Sequence, residues 1–177
     1  MEEKVNVWKA NFTNGLILAL IGISYTLVMY FLDLTFNKAQ SYIFMLIQLG
    51  MLYFLLKTYR DNFMHGQITY GQSVGAGVII CLYYSIAMAI FTYVLYTVID
   101  PGLVAKQLAF TEQAMVERGT PQQAIDAGMA MTEKIMKPAI MAPFSIVFGM
   151  LWGTVLSLIV SIFIKKEGNP LVDTPAN

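Results

Sequence analysis

The chain has 177 residues, of which 57% are apolar and only 12% charged, with 11 basic and 11 acidic side chains that cancel. A water-soluble domain of this length would bury about 70% of its unfolded surface and would need far more charge to cover the rest. A soluble enzyme is therefore the wrong starting class, and no nucleic acid is expected as a partner.

Formally charged residues are absent from Ala10 to Leu32, Ala39 to Leu56, Asn62 to Ile99 and Pro138 to Ile164. Each gap holds a membrane-spanning helix, since roughly 20 apolar residues at about 1.5 Å each cross about 30 Å of hydrocarbon. The first span is predicted over about 12–32. Its charged start resembles a signal peptide, but the apolar run is long and no convincing small-residue cleavage site follows, so it is expected to stay attached.

The second span, about 41–58, is the shortest and carries Gln48 and Gly50 near its middle. It becomes long enough if the helix continues through Lys57 and Tyr59, with the lysine stem reaching toward the headgroups; the rival is a buried re-entrant helix. The third span is predicted over about 72–99. The fourth covers about 138–164, with Pro143 expected to bend its first turns.

Four spans put both termini on one side. That side and the second connection hold Lys4, Lys9, Lys57, Arg60, Lys165 and Lys166, against Lys38, Lys106, Arg118, Lys134 and Lys137 opposite. The short second connection and the C-terminal lysine pair favour both termini inside.

The connection between spans three and four, about 101–137, is the one sizeable polar excursion. Asp100 before Pro101 reads as a helix start, and Val104, Leu108, Thr111 and Met115 make one face. Gly119 breaks that element. Thr120 with Gln123 then reads as a capping box opening a second helix, with Ile125, Met129, Thr132 and Met136 on its face. The fold class is thus all-α: a four-helix transmembrane bundle with a two-helix amphipathic excursion, one integral domain over 1–167 and a tail over 168–177. The hairpin either caps the bundle or meets lipid or protein; its mixed charges do not select a partner.

Small residues recur every four positions along the fourth span, at Ser145, Gly149, Gly153, Ser157 and Ser161, and along the third, at Ser73, Gly77, Cys81, Ser85 and Ala89. Lipid tails give helices no hydrophobic reason to associate, so close backbone approach and interhelical hydrogen bonds must decide packing. Both tracks are expected to pack within one chain or across a homodimer, with hydroxyls bonding between helices. Gly15, Ala19 and Gly22 add a narrow surface on the first span. Tyr25, Tyr30, Tyr93 and Tyr96 fall near an interface, while Tyr83 and Tyr84 are more central and their hydroxyls need partners.

No nucleotide loop, dinucleotide fingerprint, zinc motif or nucleophile elbow occurs, and GQSVGAG at Gly71 to Gly77 lacks the lysine of a phosphate cradle. The single histidine, His65, and single cysteine, Cys81, offer neither a metal cluster nor a disulfide. No cofactor, metal or catalytic residue is assigned. Gln48 is the clearest central amide, suited to an interhelical bond or to lining a small solute path.

The segment GQITYGQSVGAG, followed by an apolar run ending in TVIDPG and set in a four-span order, resembles the uncharacterised bacterial membrane family known as domain-of-unknown-function family 4199. The resemblance covers about Thr13 to Lys166 and makes Gly66, Tyr70, Gly71, Gly75, Asp100 and Pro101 the family-like positions. It implies a four-helix bacterial integral membrane protein and supplies no reaction. The residues themselves suggest that Gly66 and Gly71 loosen the second connection, that Tyr70 anchors its edge and that Asp100 with Pro101 opens the hairpin.

The first expectation is a non-enzymatic structural or accessory protein of the inner membrane, bound to lipid and to a second copy or another membrane protein. The alternative is a small oligomeric transporter or channel. An enzyme acting on lipid through His65, Asp33 or Asp100 comes third, because no two of these groups are placed at one reacting atom.

Overall fold

The computed structural model describes residues 6–166; Lys4, Glu167 and the tail expected over 168–177 lie outside the described residues. The order is α1 (Val7–Phe31), α2 (Lys38–Phe63), α3 (Tyr70–Val94) continued by a π-helical turn (Leu95–Ile99), α4 (Leu103–Glu117), α5 (Gln122–Ile135) and α6 (Pro138–Ile164). Four of these helices, α1, α2, α3 with its π turn, and α6, are long and apolar enough to cross a membrane. Helices α4 and α5 lie between the third and fourth spans and do not cross.

Polar side chains at the helix starts explain where the spans begin. Asn6 accepts from the backbone N–H groups of Trp8 and Lys9 at 3.1 and 3.3 Å, and Asn37 accepts from that of Ala39 at 2.9 Å. Thr69 and Gln72 form a reciprocal capping box at α3: the Gln72 N–H donates to Thr69 Oγ1, and the Thr69 N–H donates to Gln72 Oε1. Each satisfies donors that a helix N-terminus otherwise leaves unpaired.

The second span is longer than the sequence suggests, because α2 runs on past Lys57, Tyr59, Arg60 and Asp61 to Phe63. Charged residues are tolerated there because they fall in the last turns, where they reach the interface while Tyr59 stays buried. Helix α6 passes through Pro143 without interruption.

Helix α3 is the central element, packed against α6 along one side and α1 along another, while α2 rests on α6 and α1 and touches α3 least. Leu18, Leu52, Leu56, Ile80, Cys81 and Leu156 form the sealed core, joined by Tyr59, Ile68 and Ile164 toward the end where α1 begins and α6 finishes. The outward faces are apolar: Phe31 is 79% and Phe163 70% exposed. Lipid is the solvent such side chains fit.

The α2–α3 connection is tied to the end of α6. Ile68 and Lys166 exchange two backbone hydrogen bonds, 2.9 and 3.0 Å, and Arg60 Nη1 donates to the Ile164 carbonyl at 3.2 Å. At the opposite end, α4 and α5 form a hairpin closed by Gly119 at φ +70°. Leu103 and Ile125 are buried, and Gly128 faces the Met115 side chain, whose Cε would lie 3.1 Å from a Cβ placed there.

Two helix starts differ from the sequence reading. Asp100 does not cap α4; its N–H closes the π turn onto the Leu95 carbonyl at 2.8 Å, and its Oδ1 accepts from the Gly102 N–H at 3.0 Å across Pro101. Helix α4 starts only at Leu103. Thr120 and Gln123 form no capping box, because the Thr120 N–H is drawn to the Met115 carbonyl at 3.1 Å to finish α4, and Pro121 takes the N-cap position of α5.

Candidate functional site

The small residues of α3 and α6 meet face to face in antiparallel register. Gly153 lies against Cys81, and Gly149 against Ser85, each so closely that no Cβ fits without displacing the partner. A Cβ on Gly77 would come 2.5 Å from Ser157 Oγ and 3.4 Å from a methyl of Leu56. One turn further along, Ser161 Oγ donates to Ser73 Oγ at 2.8 Å. Ala89, buried, and Ser145, half-buried, continue the two tracks toward the hairpin. The two faces pack against each other within one chain.

The hydroxyls behave differently from the sequence expectation. Ser85 donates to the Cys81 carbonyl at 2.7 Å, Ser157 to that of Gly153 at 2.6 Å and Ser145 to that of Ala142 at 2.8 Å, all within their own helices. The Ser161 to Ser73 bond crosses the seam, and the Ser157 hydroxyl also meets the Cys81 thiol across it. A serine in an apolar helix finds the carbonyl one turn back without any partner helix, and this local bond wins unless two hydroxyls already face each other.

Along the α1 side, Gly15 accepts the Cβ of Tyr83 against its backbone, and Gly22 faces Tyr84 Cε2 at 2.9 Å and Met88 Sδ at 3.1 Å from an ideal Cβ. Ala19 between them is buried. Tyr83 takes Phe12 edge-on at 5.2 Å, while Tyr84 is nearly sealed. Asn11 and Asn14 are two buried amides that sequence reasoning missed. Asn14 Nδ2 donates to Asn11 Oδ1 at 3.1 Å, and Asn11 Nδ2 donates to the Val7 carbonyl at 3.0 Å. Gln48, 5% exposed in α2, makes no interhelical bond with another described residue.

The family-like positions divide between turn and surface. Gly66 stands at φ +79°, a conformation that favours glycine, and Tyr70 donates its hydroxyl to the Leu158 carbonyl at 3.1 Å. Gly71 and Gly75 face open space, and Pro101 is exposed in the turn held by Asp100. Asp100 Oδ2 also meets the Tyr30 hydroxyl at 3.4 Å and Lys106 Nζ at 3.6 Å.

The groups considered for lipid chemistry do not converge. Asp33, at φ +56°, and Asp100 lie at the hairpin end, whereas His65, at φ +51°, lies at the other end of the bundle. Among the described residues no group of three His, Cys, Asp or Glu side chains is gathered for a metal ion.

A polar cleft of about 420 Å³ opens at the hairpin end, between the start of α2, the π turn and α4. Its amides are Asn37, Gln40 and Gln107; Tyr96 donates to Gln107 Oε1 at 2.7 Å, and Gln40 Nε2 donates to the Thr35 carbonyl at 2.9 Å. Phe36 and Phe110 stack beside them with ring centres 5.7 Å apart. The signal for this cleft is faint in sequence, because its members come from three separate stretches of ordinary loop and helix composition.

Four apolar spans with lipid-facing flanks, a close-packed small-residue seam and two non-spanning helices between the third and fourth spans define a multi-pass helical membrane protein. The chain belongs to the bacterial family described as Protein of unknown function (DUF4199), whose sequence pattern matches residues 13–166. No curated protein and no solved structure matches the chain.

Proposed function

We propose that the protein is a non-enzymatic accessory component of the bacterial inner membrane, with both termini in the cytoplasm, whose spans anchor the α4–α5 hairpin at the outer surface as part of a membrane assembly. The observation that carries this reading is the α3–α6 seam. Glycines and short side chains close the centre of the bundle, and its serine hydroxyls are spent on neighbouring carbonyls or on each other. Such an interior suits a rigid anchor better than a passage. The hairpin supplies the presented surface, with Val116 and Met131 exposed at 58% and 65%. Purification of the full chain in native lipid, followed by identification of bound proteins and lipids, tests the reading. A stoichiometric membrane partner lost on Met131→Glu but kept on Gln123→Glu is expected; a chain recovered alone from cross-linked membranes counts against it.

Gln48 favours a second reading, a small transporter. A nearly buried amide with no hydrogen bond to another described residue is a group that a polar solute or water would satisfy. Solute flux in liposomes that vanishes in Gln48→Leu, with the fold intact, would replace the accessory reading.

A further inference from the structure

The cleft at the hairpin end has the chemistry of a binding site. Its volume of about 420 Å³ falls in the range of roughly 300–1,000 Å³ that small-molecule sites occupy. Among the described side chains, no acid, lysine, arginine or histidine lines it. Asp100 and Lys106 pair with each other, and Asp100 also meets the Tyr30 hydroxyl. An ionic ligand would therefore leave water without a counter-charge to meet it, which is costly.

A purely apolar ligand fits no better, because it would strip water from the amides and hydroxyls that line the walls. What remains is an uncharged ligand carrying many donors and acceptors with an apolar face. Sugars have that combination. The stacked rings of Phe36 and Phe110 offer an apolar wall, and Ser41 and Thr111 add hydroxyls.

The existing hydrogen bonds refine the match. Tyr96 donates to Gln107 Oε1, which leaves the Gln107 NH₂ to donate; Gln40 commits one N–H to the Thr35 carbonyl, which fixes its amide and leaves its Oε1 as acceptor. A sugar hydroxyl both accepts and donates, so it can use one fixed donor and one fixed acceptor together. Tyr96 itself sits in the π turn Leu95–Ile99, an irregularity that is common at functional sites because it re-aims side chains from an otherwise regular helix.

We infer that this cleft binds an uncharged, hydroxyl-rich sugar unit, either free or as the headgroup of a membrane glycolipid. The inference goes beyond the accessory reading and can fail without it, because it concerns a ligand and not an assembly.

The test uses the full chain in phosphatidylethanolamine–phosphatidylglycerol nanodiscs, with monoglucosyl diacylglycerol as one probe and methyl glucoside as the other. Native mass spectrometry reads lipid retention and titration calorimetry reads the free sugar. Glucosyl lipid enriched about tenfold over phosphatidylethanolamine, and lost in both Gln107→Leu and Gln40→Leu, is the expected result. Heat from methyl glucoside as well would name the free sugar as a source; heat absent with lipid retained would name the headgroup. Ser41→Ala is a milder variant that keeps the helix and should weaken retention about threefold, and Gln123→Leu on the exposed side of α5 should leave it unchanged. Equal retention of both lipids with no heat, or wild-type retention in all three cleft variants, overturns the proposal.

Discussion

Gly153 of α6 lies against Cys81 of α3 with no room for a methyl group between them. The hydrogen on Gly153 is therefore a packing element, and its replacement has a calculable direction. Gly153→Ala pushes on the Cβ of Cys81, which the fixed α3 backbone holds in place, so overpacking should cost about 1–3 kcal/mol. Thermal unfolding in detergent micelles reads this as a lowered midpoint. Gly149→Ala should behave alike against Ser85, whereas Gly50→Ala and Gly75→Ala, where a Cβ meets nothing within 4 Å, should be neutral or slightly stabilising. Cys81→Ala keeps the offending Cβ and should not rescue Gly153→Ala; Cys81→Gly should recover part of the loss, and equal behaviour of the two double variants would show that the contact is not the cause.

The Ser161–Ser73 bond makes a smaller claim. Interhelical hydrogen bonds inside lipid contribute about 0.6 kcal/mol on average, since an unpaired hydroxyl finds a carbonyl of its own helix. Ser161→Ala should lower stability by about that amount, and the double variant with Ser73→Ala should cost little more than either change alone. Strictly additive losses in a double-mutant cycle would mean the hydroxyls act separately.

The pattern Thr-x-x-Gln occurs at both Thr69 and Thr120, and only the first closes into a capping box. Thr69→Ala should therefore cost about 1 kcal/mol, because it releases an N-terminal donor of α3. Thr120→Ala should change stability by less than about 0.5 kcal/mol. Hydrogen exchange at the first turns of α3 and α5 separates the two: faster exchange is expected at Gln72 in the first variant and no change at Gln123 in the second.

That contrast marks the limit of what the residues alone could reveal. The four spans were legible because lipid demands long charge-free runs, and those runs stand out in any composition profile. Their ends were not, since a helix can carry Lys57, Arg60 and Asp61 into the interface without stopping. The four-residue spacing of Ser73 to Ala89 and Ser145 to Ser161 pointed to two close-packing faces; that the faces meet each other in antiparallel register is a property of the pair and is visible only once both helices are placed. Thr120 failed as a cap for a similar reason: the end of α4 competes for its N–H. The cleft was the least legible part, because Gln40, Tyr96 and Gln107 become neighbours only through the π turn and the fold-back of α4.

The paired backbone bonds between Ile68 and Lys166 place the α2–α3 connection and the end of α6 on one side of the membrane, while the Arg118–Pro121 link of the hairpin lies on the other. The native thiol is sealed, so single cysteines introduced at exposed positions can be labelled without removing it. Lys166→Cys keeps the backbone pairing and His65→Cys lies in the same connection, so both should react only after the cytoplasmic face is opened. Gln122→Cys should react with a membrane-impermeant maleimide in intact cells whose outer membrane has been permeabilised. Labelling of Lys166→Cys and Gln122→Cys from the same face would contradict the four-span path itself. Opposite faces in the reverse sense, with Lys166→Cys reached from outside, would keep the bundle and invert the proposed orientation, placing the hairpin and its cleft in the cytoplasm.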